Sequence, residues 1–180
     1  FVNAVNMVDG CDGLAASLVG ISLLAIMLLG DTGFDNVNQF LLQVVVSSIV
    51  VFLLFNFSNR NFLKSFLGDG GSLFLGFFLA VNLIEFAESS ITYDPSIILW
   101  LVAIPVLDFF VVILRRVIVK QKITVADNSH IHHLILSKGF SNFRTTMLIA
   151  LAAVALLFLG FFLVSYYPSL SAPSFALCFI

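Results

Sequence analysis

The sequence predicts an all-α protein, a polytopic transmembrane helix bundle whose chemically active polar residues lie in loops on one face of the bilayer. Hydrophobic residues fill 61% of the 180 positions and charged residues only 10%, whereas a soluble domain carries about 25% charged residues. Phe alone occurs 21 times, which is more apolar surface than a soluble fold of this size can bury. We therefore place the chain in lipid. The net charge of −2 gives no reason to expect a nucleic-acid partner.

Apolar stretches of about the length that crosses a hydrocarbon core, roughly 17–25 residues, occur five times in the sequence. The third is short and contains Asn82 and Glu85, but the loops beside it keep their charge bias only if it crosses. We treat residues 1–180 as a single integral-membrane domain and expect it to be a fragment, with a further span cut off in residues 174–180. The predicted spans are residues 14–30, 40–57, 72–87, 96–114 and 145–167.

The basic residues predict the orientation, because Lys and Arg concentrate in cytoplasmic loops. All eight lie in two connecting segments, residues 58–71 and 115–144, while the loops at 31–39 and 88–95 hold acids and no base. Five spans put both basic segments and residues 3–13 on the same side, which we expect to be cytoplasmic.

The aromatic residues agree with this topology, since Tyr and Trp favour membrane interfaces. All of them fall near the predicted outer interface: Tyr93, Trp100, Tyr166 and Tyr167. Cys11 and Cys178 fall on opposite sides of the predicted membrane, so we expect no disulfide between them.

Four oxygen-bearing side chains recur at every third position near the start of the chain. Gly10 and Gly13 favour a helix that ends here, with two carboxylates on a tight turn. Two close carboxylates beside amides suit Mg²⁺ and the polar edges of a nucleotide. An ordinary Asx- and Gly-rich loop that caps two helices would show the same pattern. The four residues are Asn3, Asn6, Asp9 and Asp12.

A second polar motif, FLGDGGS at residues 66–72, leads directly into the third predicted span. Glycines around Asp69 let backbone N–H groups approach a phosphate, and a helix start adds its positive dipole end. In this interpretation Asp69 holds a metal while Ser72 or the helix N-terminus meets an oxyanion. In the alternative, Asp69 or Ser72 is only an N-cap.

A third polar motif holds all three histidines of the chain, His130, His132 and His133, with Asp127 shortly before them. If the segment is helical, Asp127, His130 and His133 share one face and His132 points away. One interpretation is a zinc site, although no Cys lies near and no fourth ligand is evident. Another is a group of imidazoles and nearby Lys that binds phosphate. A solvated loop with incidental histidines is the third.

Asp108 lies inside the fourth predicted span, seven residues before Arg115. It therefore lies about 10 Å deeper than that residue. A charge at mid-membrane costs roughly 2.5–3.5 kcal/mol, so we expect Asp108 to face the bundle interior. Pro105 frees a backbone carbonyl that needs another partner. Pairing with a neighbour and a role in the site both remain open for Asp108.

Together these motifs resemble one family, the bacterial polyprenyl-phosphate N-acetylhexosamine-1-phosphate transferases of glycosyltransferase family 4. Within it, the sequence looks most similar to the UDP-GlcNAc:undecaprenyl-phosphate GlcNAc-1-phosphate transferases. The peptidoglycan branch has Thr before the first Asp and consecutive histidines, whereas here Val8 precedes Asp9 and Ile131 splits the histidines. Four stretches carry the resemblance, in the family's order: NAVNMVDGCDGL (3–14), FLGDGGS (66–72), AIPVLDFFVVILRR (103–116) and HIHHLIL (130–136).

The resemblance implies a reaction in which a polyprenyl phosphate, such as undecaprenyl phosphate, attacks the sugar-bearing phosphorus of a UDP-N-acetylhexosamine. The products are a polyprenyl-diphosphate sugar and UMP, and the reaction starts a cell-surface polysaccharide such as O-antigen or teichoic acid. The resemblance also implies a Mg²⁺ cofactor (with Mn²⁺ as a substitute), a bacterial inner membrane with cytoplasmic active-site loops, contact with membrane lipid, and a homodimer.

The resemblance implies roles for single residues as well. Asp69 matches the family's magnesium ligand and, with Asp9 and Asp12, belongs to the catalytic group. The substrate-binding residues implied are Asn3, Asn6, Asp127, His130, His132 and His133.

The sequence also departs from the family. The family's paired aspartates belong to an earlier loop, so we expect this fragment alone to be inactive. Asn128 stands where Arg or Lys is common, and Gly70 replaces another small residue. The rival classes are a small transporter, which would carry its ionisable residues mid-span, and a membrane-anchored zinc protein.

Overall fold

The computed structural model describes residues 1–29, 36–58, 64–89, 93–120 and 130–178. Within these ranges the regular structure is helical and contains no strand, which confirms the all-α prediction. The helices are α1 (Val2–Val8), α2 (Leu14–Leu29), α3 (Asn36–Asn56), α4 (Gly68–Ser89), α5 (Ile97–Leu101), α6 (Ala103–Val119), α7 (Ile131–Leu136), α8 (Asn142–Tyr166) and α9 (Pro168–Leu177).

Three of the described helices, α3, α4 and α8, are long and apolar enough to cross a membrane. Much of their surface is exposed apolar side chain, as on Leu54 of α3, Phe77 of α4 and Leu151 of α8. The apolar helix α2 is shorter, with 16 residues. Exposed apolar faces on helices of this length are what lipid contact requires, so the fold is that of an all-α membrane protein.

The described helices overlap the residues of the five predicted spans, with two differences in their bounds, and the number of spans stays a prediction. Helix α4 runs over 22 residues, longer than the short third span expected at 72–87. The fourth span is divided, because α5 ends at Leu101 and α6 begins at Ala103.

The division between α5 and α6 has a clear cause in Pro105. Proline has no N–H, so the carbonyl of Leu101, four residues earlier, loses its helical partner. Ser22 on α2 supplies a replacement, since its Oγ lies 2.6 Å from the Leu101 oxygen and 3.0 Å from the Leu18 oxygen of its own helix. The carbonyl freed by proline is thus satisfied by a neighbouring helix, which ties α2 to the α5–α6 junction.

Helices α1 and α2 lie at the centre of the bundle. Helix α1 packs against α4 and α6, and α2 packs against α3, α4 and α8. Gly76 on α4 permits the close approach of α1, because a Cβ there would lie 3.2 Å from Val5 Cβ and 3.3 Å from the Val2 carbonyl oxygen. The turn that joins α1 to α2 is consequently held in the middle of one end of the bundle.

The predicted interface anchor Trp100 is buried instead. Its ring packs on Gly160 of α8, and its Nε1 donates to Ser171 Oγ at 3.0 Å. Ser171 belongs to α9, which begins at Pro168 and packs against α5 and α8. The indole N–H of Trp100 thus finds its partner within the protein, and the depth of Trp100 in the membrane stays a prediction. Cys11 and Cys178 are both free.

We predict that Ser22→Ala lowers the free energy of unfolding by about 1–3 kcal/mol, because it leaves the buried Leu101 carbonyl without a partner. The matched control is Ser48→Ala, since Ser48 is exposed and its hydroxyl donates to the Val44 carbonyl of its own helix. That change should alter stability by less than about 0.5 kcal/mol. Thermal unfolding in detergent compares the two variants, and equal losses would contradict the role given to Ser22.

Candidate functional site

The α1–α2 turn carries the first pair of candidate carboxylates. Helix α1 ends at Val8, and Gly13 has a φ of 66°, which only glycine adopts without strain. A Cβ at Gly13 would also lie 2.7 Å from the Phe57 ring. Asp9 and Asp12 therefore sit on a tight turn, as the two glycines of the sequence indicate.

Asn6 joins this first motif to the second. Its Nδ2 donates to Ser72 Oγ at 2.8 Å and lies 3.4 Å from Asp69 Oδ1. Ser72 is fully buried, and its hydroxyl lies 3.3 Å and 3.2 Å from the carbonyl oxygens of Gly68 and Asp69. The Ser72 hydroxyl thus bonds within the protein, whereas Asp69, in the first turn of α4, is exposed and has a long contact to the Asn6 amide.

Asp9 and Asp69 lie close enough for their charges to interact. Partial burial, and secondly the Asp69 carboxylate, raise the pKa of Asp9 to about 6. Two facing carboxylates repel one another, and a divalent cation relieves that repulsion. Mg²⁺ is commonly held by one or two carboxylates together with water and substrate phosphates. Asp9 and Asp69 are therefore a pair of acids that is chemically suited to bind Mg²⁺.

The described residues contain no group of three or more His, Cys, Asp or Glu side chains placed to hold a metal ion. A structural zinc site needs four such ligands, so the described part of the histidine segment gives no support for zinc.

Asp12 has a different environment from Asp9. Its carboxylate forms an ion pair with Lys64, at 2.7 Å, and lies 3.4 Å from Asn142 Nδ2. Thr146 Oγ1 donates to the Asp12 carbonyl at 2.8 Å. Asp12 thus ties the turn to the Lys64 segment and to the start of α8.

The third motif reaches into the bundle and contacts Asp108. His130 is the N-cap of α7 and has extended backbone angles. Its Nδ1 lies 2.7 Å from Asp108 Oδ2, and the Ile131 N–H donates to Asp108 Oδ1 at 2.8 Å. Asp108 therefore faces the bundle interior, as its position in the sequence predicts, and it is paired with the histidine loop.

His132 is buried, with 1% of its surface exposed. Burial and the charges of His133 and His130 lower its pKa to about 4, although the Asp108 charge acts in the opposite direction. Its ring packs on Gly10, where a Cβ would lie 2.0 Å from Nε2. Its Nδ1 has no hydrogen-bond partner in the described parts of the chain.

The expectation that His130 and His133 share a helical face with His132 pointing away was wrong, because the helix starts only after His130. His130 and His132 instead stack with their rings 8° from parallel. His133 is the partly exposed member of the three. Asp127 lies outside the described residues.

The structure thus brings the motifs together at one end of the bundle. The His132 ring packs on Gly10, the neighbour of Asp9. The Asn6 amide contacts Asp69, and the His130 ring contacts Asp108. Asn3 lies one turn before Asn6 on α1 and is exposed. The sequence did not identify Lys64, Asn142 or Thr146 as site residues. The one available signal was that Lys64 lies five positions before Asp69 in the same loop.

Comparison with known proteins assigns this chain to a family. A family model described as glycosyl transferase family 4 matches residues 1–87, which include the first two motifs. A Bacillus subtilis (strain 168) protein named probable undecaprenyl-phosphate N-acetylglucosaminyl 1-phosphate transferase is 37% identical over 152 residues, which are 83% of this chain and 41% of the relative. The chain belongs to glycosyl transferase family 4.

Two further family 4 relatives carry the name undecaprenyl-phosphate alpha-N-acetylglucosaminyl 1-phosphate transferase. The Escherichia coli (strain K12) protein is 33% identical over 164 residues, and the Yersinia pestis protein is 33% identical over 163 residues. Each match covers 88% of this chain and 44% of the relative. The chain therefore spans less than half the length of these curated relatives. No solved structure matches it significantly.

We predict that Gly10→Ala forces His132 out of its position and lowers stability by about 1–3 kcal/mol, the usual cost of overpacking. Gly70→Ala is the control, because a Cβ at Gly70 meets nothing within 4 Å. Alanine also favours a helix over glycine, so this variant should be at least as stable as the original protein. Unfolding midpoints in detergent test the pair. A Gly10→Ala protein as stable as Gly70→Ala would contradict the packing described.

We also predict that the contribution of His132 to the free energy of unfolding falls as the pH is lowered from 7 to 5. The unfolded chain binds a proton at His132 near the ordinary pKa of 6.5, whereas the folded protein does so only near 4. The stabilising contribution of neutral His132 is therefore fully present above pH 6.5 and decreases as the pH is lowered towards 4. About 2 kcal/mol of this contribution to the free energy of unfolding is lost by pH 5.

The control for this pH dependence is His132→Gln, which removes the titrating group. Asp9, whose raised pKa contributes with the opposite sign, is present in both proteins. Equal pH dependence of unfolding in the two proteins would show that His132 is not held neutral.

Proposed function

We propose that the protein containing this chain transfers N-acetylhexosamine 1-phosphate, with GlcNAc 1-phosphate as the first candidate, from a UDP-sugar to undecaprenyl phosphate. The reaction joins a lipid phosphate oxygen to the sugar-bearing phosphorus and breaks that phosphorus's bond to the departing UMP. The product is an undecaprenyl-diphosphate sugar, the first intermediate of a cell-surface polysaccharide. The names of the family 4 relatives support the sugar phosphate and the lipid acceptor.

The observation that carries this proposal is the pair of carboxylates Asp9 and Asp69, whose charges interact, with the Asn6 amide donating to Asp69. Phosphoryl transfer depends mostly on positioning and on neutralising phosphate charge. Bound Mg²⁺, or Mn²⁺ in its place, would supply that neutralisation for the diphosphate of the donor. Asp69 would hold the ion directly, and Asn6 keeps the Asp69 carboxylate oriented.

The remaining residues bind and orient the donor. Asn3 and Asn6 offer amide groups for the nucleotide edge, and the partly exposed His133 offers an imidazole to phosphate oxygens. Asp12 holds Lys64 at 2.7 Å, which keeps a cation at the edge of the same turn.

A transporter is the alternative from another class. Such a protein needs ionisable groups along an open path through the membrane. The two acids within the predicted spans at 72–87 and 96–114 are instead bound to neighbours: Asp108 to His130, and Glu85 to Asn38 Nδ2 at 2.6 Å. This pairing favours the enzyme. Within the enzyme class, Val8 and Ile131 favour the GlcNAc branch over phospho-MurNAc-pentapeptide transfer.

We further propose a multi-pass location in the bacterial inner membrane, with the motif-bearing end in the cytoplasm, where UDP-sugars are found. The positions of Lys and Arg support this orientation. Membrane lipid surrounds the exposed faces of α3, α4 and α8, and a homodimer is proposed from the family resemblance.

The test uses the complete gene product that carries this sequence, in membranes supplied with UDP-[³H]GlcNAc, undecaprenyl phosphate and Mg²⁺. Radiolabel should pass into the organic phase with release of UMP. Asp69→Asn should lower this transfer by at least about 100-fold, because the metal ligand is lost. Asp94→Asn, an exposed acid outside the motifs, should leave the rate unchanged.

Three outcomes would change the proposal. Transfer only from another UDP-sugar would keep the reaction and replace the substrate. Transfer that is independent of Mg²⁺ and of Asp69 would remove the metal site. No transfer from any UDP-sugar would overturn the enzyme function.

A further inference from the structure

The three histidines differ in their access to a ligand. His130 and His132 are 5% and 1% exposed, whereas His133 is partly exposed. The three rings form one continuous row: His130 and His132 lie 5.8 Å apart and nearly parallel, and His132 and His133 lie 4.2 Å apart. His130 and His132 therefore pack inside the protein, and His133 is the ring of the three that a ligand can contact.

Asp108 holds the inner end of this row. Its side chain and that of His130 are each only 6% exposed, and the contact between them is 2.7 Å long. Asp108 Oδ1 also accepts the Ile131 N–H at 2.8 Å. A carboxylate only accepts hydrogen bonds, so His130 must present its Nδ1 as a donor. One side chain thus fixes both the ring of His130 and the first residue of α7.

The rest of the row depends on this contact. His130 has extended backbone angles and α7 has only six residues, too few to be a stable helix without tertiary contacts. His132 is wedged between His130 and Gly10, with no hydrogen-bond partner for its Nδ1 in the described parts of the chain. Packing alone orients His132 in these contacts, so the position of its ring depends on the position of the His130 ring. His133 packs on His132 in turn, and a shift of His130 therefore also moves His133.

We propose that Asp108 is a positioning residue for the UDP-sugar: it acts through His130 and the start of α7 to present His133 to the diphosphate of the donor. This inference rests on the proposed function and adds the residue that orients its donor-binding histidine. Asp108 does not touch the donor. His133 supplies the contact, while His130 and His132 transmit the position.

Asp108→Asn separates this role from a general need for a polar group. The amide oxygen can still accept the Ile131 N–H, but an NH₂ group then replaces the oxygen that accepts from His130 Nδ1. The contact that fixes the His130 ring in its present tautomer is lost, although the side-chain volume is almost unchanged. We expect the KM for the UDP-sugar to rise by about tenfold while the KM for undecaprenyl phosphate stays unchanged.

His133→Ala tests the other end of the row. His133 is partly exposed, so this variant should unfold at the same temperature as the original protein. It should raise the KM for the UDP-sugar by a similar factor, because a contact present in both the ground state and the transition state is lost. Asp94→Asn is the control for removing an acid elsewhere.

The decisive comparison is a double-mutant cycle with His130→Ala. If Asp108 acts through His130, Asp108→Asn should raise the donor KM by less than about twofold once His130 is already alanine. A full tenfold increase in that background would show an independent action and would overturn the proposal.

Two other results would also overturn it: a normal donor KM in His133→Ala, or an Asp108→Asn protein that unfolds earlier but binds the donor normally. The original protein, assayed in parallel, separates this inference from the proposed function. If it transfers from no UDP-sugar, both fail. If it transfers normally and the variants match it, only the role of Asp108 fails.

Discussion

The close packing of α1 on α4 is the contact on which the candidate site depends. Gly76 leaves space for the α1 backbone, and Asn6 then reaches Ser72 and Asp69. This contact brings Asp9 near Asp69, at a separation of 60 positions along the chain, in spite of their electrostatic repulsion. The energy of apolar packing in the bundle is therefore used to hold together two charges that would separate in water, which is a common arrangement at sites that bind a cation.

Local signals predicted the parts of the site that depend on neighbouring residues. Gly10 and Gly13 predicted the end of α1 and the turn with its two carboxylates, and the burial cost of a charge predicted that Asp108 faces inward. Pro105 predicted a freed carbonyl, although the sequence could not name Ser22 as its partner. In each case the constraint is a backbone angle, a missing N–H or a desolvated charge, all of which act over a few residues.

Contacts between residues far apart in the chain could not be predicted from the sequence. Lys64 and Asp12 are 52 positions apart, and nothing in either segment indicates the other as its partner. The histidine loop was misjudged for the same reason: the assumption of a continuous helix ignored Asp108, which draws His130 into an extended cap and leaves only His133 partly exposed. A single sequence also does not reveal that Trp100 packs on Gly160 and donates to Ser171.

We propose that Asp9 and Asp69 together form one divalent-cation site at the α1–α4 contact. Mn²⁺ binding to the complete protein, followed by electron paramagnetic resonance in the presence of UDP, tests it most directly. We expect one tightly bound Mn²⁺, with an affinity that falls by at least about tenfold in Asp9→Asn as well as in Asp69→Asn, and that is unchanged in Asp94→Asn. Equal Mn²⁺ affinity in all of these proteins would contradict it.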